Sequence, residues 1–188
     1  YAENTGSVNL TQIAKALSLS KATCTRAIND LSASGLISQT AEGTNKWITT
    51  AYTKSELLEK AYGRLKTPVD RILYVKGTAQ IEHPIASGIR ALARQSMIGV
   101  NDQDGAIAIS KKEAAKIPAE DICTKQYFED FGGAVIEVWS YDPIILERDG
   151  CVDDISLLLS MDNDPNERVQ TCLDEIRQKH GLPIKEEE

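Results

Sequence analysis

Side chains suited to nucleic-acid contact recur on one side of the segment from Ser20 to Leu31. On a helical wheel, one stripe holds Ala22, Thr25, Arg26 and Asn29, and Lys21 lies at the edge of this stripe. The opposite, apolar stripe holds Cys24, Ala27, Ile28 and Leu31. Arg and Asn can form bidentate hydrogen bonds with base edges, and Lys, Ser and Thr contact phosphates. The segment therefore predicts a helix over residues 20–34 whose apolar side is buried and whose polar side can enter a DNA major groove.

A shorter helix is predicted immediately before this one. Asn9 followed three residues later by Gln12 is a capping-box start, and apolar residues then recur at helical spacing up to Leu17. Ser18-Leu19-Ser20 interrupts the pattern, and Ser20 suits the N-cap of the next helix. Two short helices joined by a tight turn predict a helix-turn-helix. We expect its small core to contain Ala14, Leu17, Leu19, Cys24 and Ile28.

The residues after these helices predict a β-hairpin, or wing. Two strand patterns, Leu36–Gln39 and Lys46–Thr49, flank the polar loop Thr40–Asn45. Asn45 and Lys46 lie where a wing can reach the minor groove or the phosphate backbone. The complete set of predicted DNA-contacting residues is Ser20, Lys21, Ala22, Thr23, Thr25, Arg26, Asn29, Asn45 and Lys46.

This part of the chain resembles the winged helix-turn-helix domain of MarR-type bacterial regulators. The matching positions are Ile13-Ala14, Leu17-Ser18-Leu19-Ser20, Thr23-Cys24-Thr25-Arg26, Leu31 and Gly35-Leu36-Ile37. Two residues depart from the family pattern, because Ser18 stands where Gly is usual and Cys24 where Val or Ile is usual. We expect the turn and the core to tolerate both changes. The resemblance implies a DNA-binding transcriptional regulator.

A winged helix also needs a first helix packed across the other two. The segment Tyr1–Gly6 looks like the last turn of such a helix followed by a glycine stop. We therefore expect further residues upstream of Tyr1 in the full protein.

Charge is unevenly distributed along the 188 residues. Residues 1–66 carry 8 Lys and Arg against 5 Asp and Glu, a net of +3, and the total of −7 leaves −10 for residues 67–188. A mildly basic N-terminal third would attract DNA phosphates locally, and the acidic remainder would lower non-specific affinity for DNA. No apolar run approaches the roughly 20 residues that span a bilayer. Four widely spaced cysteines favour a reducing compartment. We expect a cytoplasmic protein with no membrane contact.

Residues 67–188 alternate helix and strand patterns. Strands are predicted around Ile72–Val75 (a buried one), Ala106–Ile109 and Ala134–Trp139. Helices are predicted from Pro84 to Met97 and after the N-caps Ser110, Asp153 and Asp164. The predicted fold class is α+β, with a winged helix-turn-helix (residues 1–66) followed by a small mixed α/β domain (residues 67–188).

The second half also shows a short resemblance. The segment Ser87–Ala93, followed by the strand near Ile107, is similar to the C-terminal domain of AbiEi-type antitoxin regulators. About thirty residues share the similarity. It implies that an α/β domain accompanies the winged helix, and it assigns no chemistry to particular residues.

Acidic residues in the second half are interpreted as helix and turn caps. The segment Asp162–Glu167 departs from a calcium-binding EF-hand loop, because the sixth and twelfth positions are Glu167 and Leu173 instead of Gly and Glu. Asp142 and Asp153-Asp154 have no nucleophile, histidine or Gly-rich phosphate loop to pair with. We therefore predict no enzymatic activity, no metal site and no cofactor.

The combined patterns predict a sequence-specific transcriptional regulator that binds double-stranded DNA. One recognition helix covers only a few base pairs, so we expect a homodimer on an operator with two half-sites. The C-terminal domain would supply dimerisation, a small-molecule effector site or a protein-partner surface. The alternative is an antitoxin-like or scaffold protein whose winged helix contacts protein.

Overall fold

The computed structural model describes residues 7–43, 45–77, 80–99 and 105–184, with the backbone alone for Glu42 and Asn45. Contacts divide the chain into two compact units. The first ends at Leu65 and also takes in His180–Pro183, and the second runs from Lys66 to Lys179. Both units mix helices with β-sheet, which confirms the predicted fold class. Within the described ranges, no helix has the length and apolar character needed to cross a bilayer.

The first unit combines helices with a three-stranded antiparallel sheet. Its elements are β1 (Val8–Asn9), α1 (Leu10–Ala16), α2 (Lys21–Ala33), β2 (Ser38–Glu42), β3 (Asn45–Thr49) and α3 (Lys54–Tyr62). The strand order is β1-β3-β2, so the short strand β1 pairs with the edge of β3 that faces away from β2. Val8 and Gln39 both pair with Ile48, from opposite sides of β3. Strand β1 was not predicted, because a two-residue strand has no recognisable periodicity.

Local capping defines the helix ends of this unit. The side chains of Asn9 and Gln12 each accept the other's backbone N–H, which confirms the capping box at α1. A second box opens α3, where hydrogen bonds from the Thr53 backbone N–H and hydroxyl hold the pKa of Glu56 below its ordinary value. The end of α2 is a Schellman motif at Gly35, whose φ is +72°.

The turn between α1 and α2 places Ser18 in a left-handed backbone conformation, with φ of +51°. Glycine adopts this conformation without the clash that a Cβ atom causes. Replacing Ser18 with glycine should therefore raise the free energy of unfolding of the first unit by up to about 1 kcal/mol. Slower native-state hydrogen exchange of the α2 amides would show this. Ser18→Ala keeps the Cβ atom and serves as the control; equal protection in both variants would contradict the explanation.

The core of the first unit consists of Val8, Ala14, Cys24, Ile28 and Ile48, with Leu19 packed partly against it. The prediction was correct for Ala14, Leu19, Cys24 and Ile28. It was wrong for Leu17, which is 37% exposed at the C-cap of α1. Two apolar residues of α2, Ala27 and Leu31, are also exposed, because the buried cluster on this helix contains only Cys24 and Ile28.

The first strand of the wing lies further along the chain than predicted, at Ser38–Glu42 instead of Leu36–Gln39. Strand pairing continues past Gln39 to Glu42, which pairs with Asn45 across a tight turn at Gly43. The expected loop Thr40–Asn45 is therefore wrong for Thr40, Ala41 and Glu42, which belong to β2, and for Asn45, which begins β3. Backbone hydrogen bonds to β3 hold this segment as a strand, and the periodicity of its side chains does not indicate such pairing.

The second unit is built on a five-stranded mixed sheet with helices. Its elements are β4 (Val69–Val75), β5 (Ile85–Ser87), α4 (Gly88–Ala93), β6 (Ala106–Ser110), α5 (Lys111–Ala114), β7 (Ile122–Cys123), α6 (Lys125–Phe131), β8 (Ala134–Trp139), α7 (Asp154–Met161) and α8 (Glu167–Lys179). The strand order is β5-β6-β8-β4-β7, and only the β6–β8 pair is parallel among the described strands. The predicted strands β6 and β8 are confirmed and lie at the centre.

The predicted helix from Pro84 to Met97 is wrong. Its first residues form β5, where Ala86 is hydrogen-bonded to Gly150 and Val152 as well as lying in the sheet. Helix α4 begins only at Gly88, whose φ of +55° is incompatible with a continuous helix through this point. Met97 is fully exposed beyond the helix end. The sequence also favours a turn at Asn101–Gly105, which lies outside the described residues except for Gly105.

Two further predictions for this unit need correction. Strand β4 is not buried along its length, since Ile72 is 51% exposed. Helix α8 begins at Glu167 and not at Pro165, because Asp164 accepts the N–H of Asn166, and Asn166 accepts that of Arg168. The N-caps Ser110 and Asp153 are confirmed. Helix α6, capped by Thr124, was not predicted.

Candidate nucleic-acid interface

Helix α2 presents the predicted contact residues on its solvent side. The exposed members are Ser20, Lys21, Ala22, Thr23, Thr25, Arg26 and Asn29. Cys24 and Ile28, only 3% and 7% exposed, attach the opposite side of the helix to the core. Because these two residues fix the rotation of α2 about its own axis, the stripe of Ala22, Arg26 and Asn29 faces outward as a set.

The side chains of this stripe are partly ordered by the helix itself. Thr25 Oγ1 donates to the carbonyl of Lys21 at 2.8 Å, and Arg26 Nε donates to the carbonyl of Ala22 at 3.4 Å. Arg26 forms no ion pair with a described residue, although Asp30 lies one turn further along the helix. Its two terminal nitrogens are therefore available to a ligand.

The N-terminus of α2 is suited to a phosphate group. Ser20 Oγ accepts the backbone N–H of Thr23 at 3.1 Å and lies 2.9 Å from the Thr23 hydroxyl. The N–H groups of Lys21 and Ala22, in the first turn, have no helical acceptor. No acidic residue lies in this turn. The first turn of α2 therefore combines backbone donors, hydroxyls and the Lys21 ammonium group, which is the arrangement that binds anions at helix N-termini.

The wing contributes one described candidate. Lys46 is exposed on β3, opposite Ala41 of β2. The side chain of Asn45 lies outside the described residues, so its predicted contact stays a prediction. Trp47 points to the other face of the strand and is partly buried.

One residue next to the candidate surface was missed at the level of sequence. Gln39, on β2, donates through Nε2 to Asn29 Oδ1 at 3.5 Å. This contact joins the wing to α2 beside Asn29. Its only sequence signal is a polar residue in the first wing strand, which is common in exposed hairpins and does not identify a partner on another element.

Within the described ranges, no group of three His, Cys, Asp or Glu side chains comes together in a way that could hold a metal ion. The candidate surface consists of the hydrogen-bond donors and positive charges of α2 and the wing.

Comparison with known families agrees with this geometry. Residues 2–38 match a family model described as winged helix-turn-helix DNA-binding. The N-terminal unit is a winged helix-turn-helix domain. The match ends at the start of the wing and includes both α1 and α2. No curated protein and no solved structure is significantly similar to the chain. The match does not identify the MarR-type subgroup, and no finding supports the AbiEi-type resemblance of the second unit.

Proposed function

We propose that the protein is a sequence-specific transcriptional regulator, of MarR-like type, that reads the DNA major groove with α2. The observation that carries the proposal is the exposed stripe of Ala22, Arg26 and Asn29 on a helix whose other side is anchored by Cys24 and Ile28. Arg26 would read a guanine edge, and Asn29 an adenine edge, because these side chains match those donor and acceptor patterns.

Phosphate contacts would position the helix in the groove. Ser20, Lys21 and Thr23 lie at the first turn of α2, where backbone N–H groups also point outward. Lys46 would contact the backbone or the minor groove from the wing. Contacts of this kind set register and orientation and carry no sequence information.

The helix dimensions favour a homodimer on DNA. The 13 residues of α2 span about 20 Å at 1.5 Å per residue, and only the exposed stripe can reach base edges. A single helix therefore reads a few base pairs, and useful specificity needs a second copy on a neighbouring half-site. We propose that the second unit provides dimerisation or an effector or partner surface, that the protein is cytoplasmic, and that it is not an enzyme.

Selection from a random DNA pool at near-physiological salt tests the proposal. We expect an enriched motif with two half-sites, and an affinity that falls steeply as salt rises because each phosphate contact releases counterions. Replacing Lys21 with alanine should reduce the slope of log affinity against log salt by about 1. Lys60→Ala, on α3, is the control. Failure to enrich any motif would instead favour the antitoxin-like or scaffold alternative, in which the winged helix contacts protein.

A further inference from the structure

The second unit contains a buried carboxylate at the centre of its sheet. Glu137, on β8, is 9% exposed and pairs with Ile72 on one side and Ala108 on the other. Its chain neighbours Ile136 and Val138 fill the opposite face of the sheet, in a core with Val75. A charged side chain is seldom buried without a partner, because burial removes its hydration. Glu137 therefore needs compensating hydrogen bonds.

The protein satisfies one oxygen of this carboxylate. Ser87 Oγ donates to Glu137 Oε2 at 2.7 Å, and Trp139 Nε1 donates to the same oxygen at 3.0 Å. Both donors are neutral, and no described Lys, Arg or His forms an ion pair with Glu137. No described residue donates a hydrogen bond to Oε1, which can accept about two.

A cavity of about 500 Å³ lies against this side of Glu137. Gly88 and Ala106 also line it, and their small size leaves room beside the carboxylate. A Cβ atom on Gly88 would be 3.7 Å from Glu137 Oε1, so this oxygen is next to the open space that the glycine leaves. The volume lies within the range of small-molecule sites, about 300–1,000 Å³.

The lining of the cavity is negative. Its charged members are Glu137, Asp162 and Asp164, and no Lys, Arg or His is among the described residues that line it. Arg177 pairs with Asp162 at 2.7 Å and offsets its charge, so Glu137 and Asp164 give the lining its net negative charge. The carbonyl end of α7, which carries a partial negative charge, borders the same space through Met161. Such a lining repels anions and attracts cations. The carboxylates do not form a group of three that could hold a metal ion, which favours an organic cation.

We propose that this cavity binds a small organic cation, whose protonated amine or guanidinium group donates hydrogen bonds to Glu137 Oε1. The two neutral donors on Oε2 hold the carboxylate in the orientation that such a ligand needs. The cavity shape then admits an aliphatic or planar body beside Val135 and Ile89. The site does not depend on DNA binding, so its test stands apart from that of the proposed function.

Calorimetric titration of the full chain with agmatine, in the absence of DNA, tests the inference. Agmatine carries both an ammonium and a guanidinium group, and succinate serves as an anionic probe of similar length. We expect agmatine to bind, succinate not to bind, and Glu137→Gln to weaken agmatine binding by about tenfold or more through loss of a charged hydrogen bond. Glu175→Gln, which removes the same charge from the exposed side of α8, should bind as the unsubstituted protein does.

A second measurement does not depend on the variant folding correctly. In the unsubstituted protein, agmatine should shift the NMR resonance of the Trp139 indole N–H, which shares Glu137 with the ligand, and leave that of Trp47 unchanged. Equal binding by Glu137→Gln, equal binding of succinate, absence of agmatine binding, or an unperturbed Trp139 resonance would each overturn the inference.

Discussion

Replacing Arg177 with alanine should lower the free energy of unfolding of the second unit by about 2–4 kcal/mol. The Arg177 side chain is 1% exposed, and its guanidinium contacts Asp174 at 2.6 Å and Asp162 at 2.7 Å. The contact with Asp162 ties α8 to the C-cap of α7, whereas the contact with Asp174 lies within α8. The estimate lies below the cost of orphaning a fully buried charge, because the Asp162 and Asp174 side chains are 36% and 24% exposed and can be rehydrated.

Native-state hydrogen exchange of the β8 and α8 amides measures this effect. Arg168→Ala, at an exposed position of the same helix, is the matched control and should change protection little. Arg177→Met retains part of the buried aliphatic stem, so its hydrogen-exchange protection should lie between that of Arg177→Ala and that of Arg168→Ala. Protection of β8 and α8 in Arg177→Ala equal to that in Arg168→Ala would show that the ion pairs do not hold the helices together.

Replacing Arg26 with alanine should cost about 1–3 kcal/mol of specific DNA binding and relax selectivity at one base position. No described carboxylate forms an ion pair with the exposed guanidinium. Its terminal nitrogens can therefore donate hydrogen bonds to a base edge without first breaking such a pair. The substitution removes no buried contact, and we expect the fold to be unaffected. Gel-shift titration against a selected operator and its single-base variants measures both affinity and selectivity.

Two further variants separate base reading from charge. Arg26→Lys keeps the positive charge but loses the bidentate geometry, so it should retain non-specific affinity and lose selectivity. Arg64→Ala, outside α2, removes one positive charge from the same unit and should affect only the salt-dependent part of the affinity. If Arg26→Ala binds the operator with unchanged affinity and selectivity, Arg26 does not read a base.

Two buried charged residues, Arg177 and Glu137, show what sequence patterns fail to predict. Arg177 and Glu137 carry no local signal of burial, since each occupies a position that periodicity assigns to an ordinary helix or strand residue. One partner of each lies on a separate element, Asp162 at the end of α7 and Ser87 on β5. Burial of such groups is decided by which elements pack together, and no sequence window contains that information.

The helix-turn-helix was accessible from sequence because its determinants are short-range. Capping at Asn9 and Ser20, the stop at Gly35 and the spacing of Cys24 and Ile28 each involve residues within about two helical turns. The same reasoning identified the central strands β6 and β8. These local preferences agree with the tertiary structure, so the prediction of α2 and of its outward stripe did not require it.

Where apolar periodicity is ambiguous or absent, only the tertiary structure decided which conformation a segment adopts. Ile85–Ser87 fits a helical pattern, yet strand pairing with β6 and hydrogen bonds to the Gly150–Val152 segment make it β5. Likewise, the Gln39–Asn29 contact and the cavity beside Glu137 arise where distant segments meet. The chain's own sequence thus determined its local helices and the outward polar stripe of α2, whereas long-range backbone pairing and burial determined its sheet edges, its buried charges and its cavity.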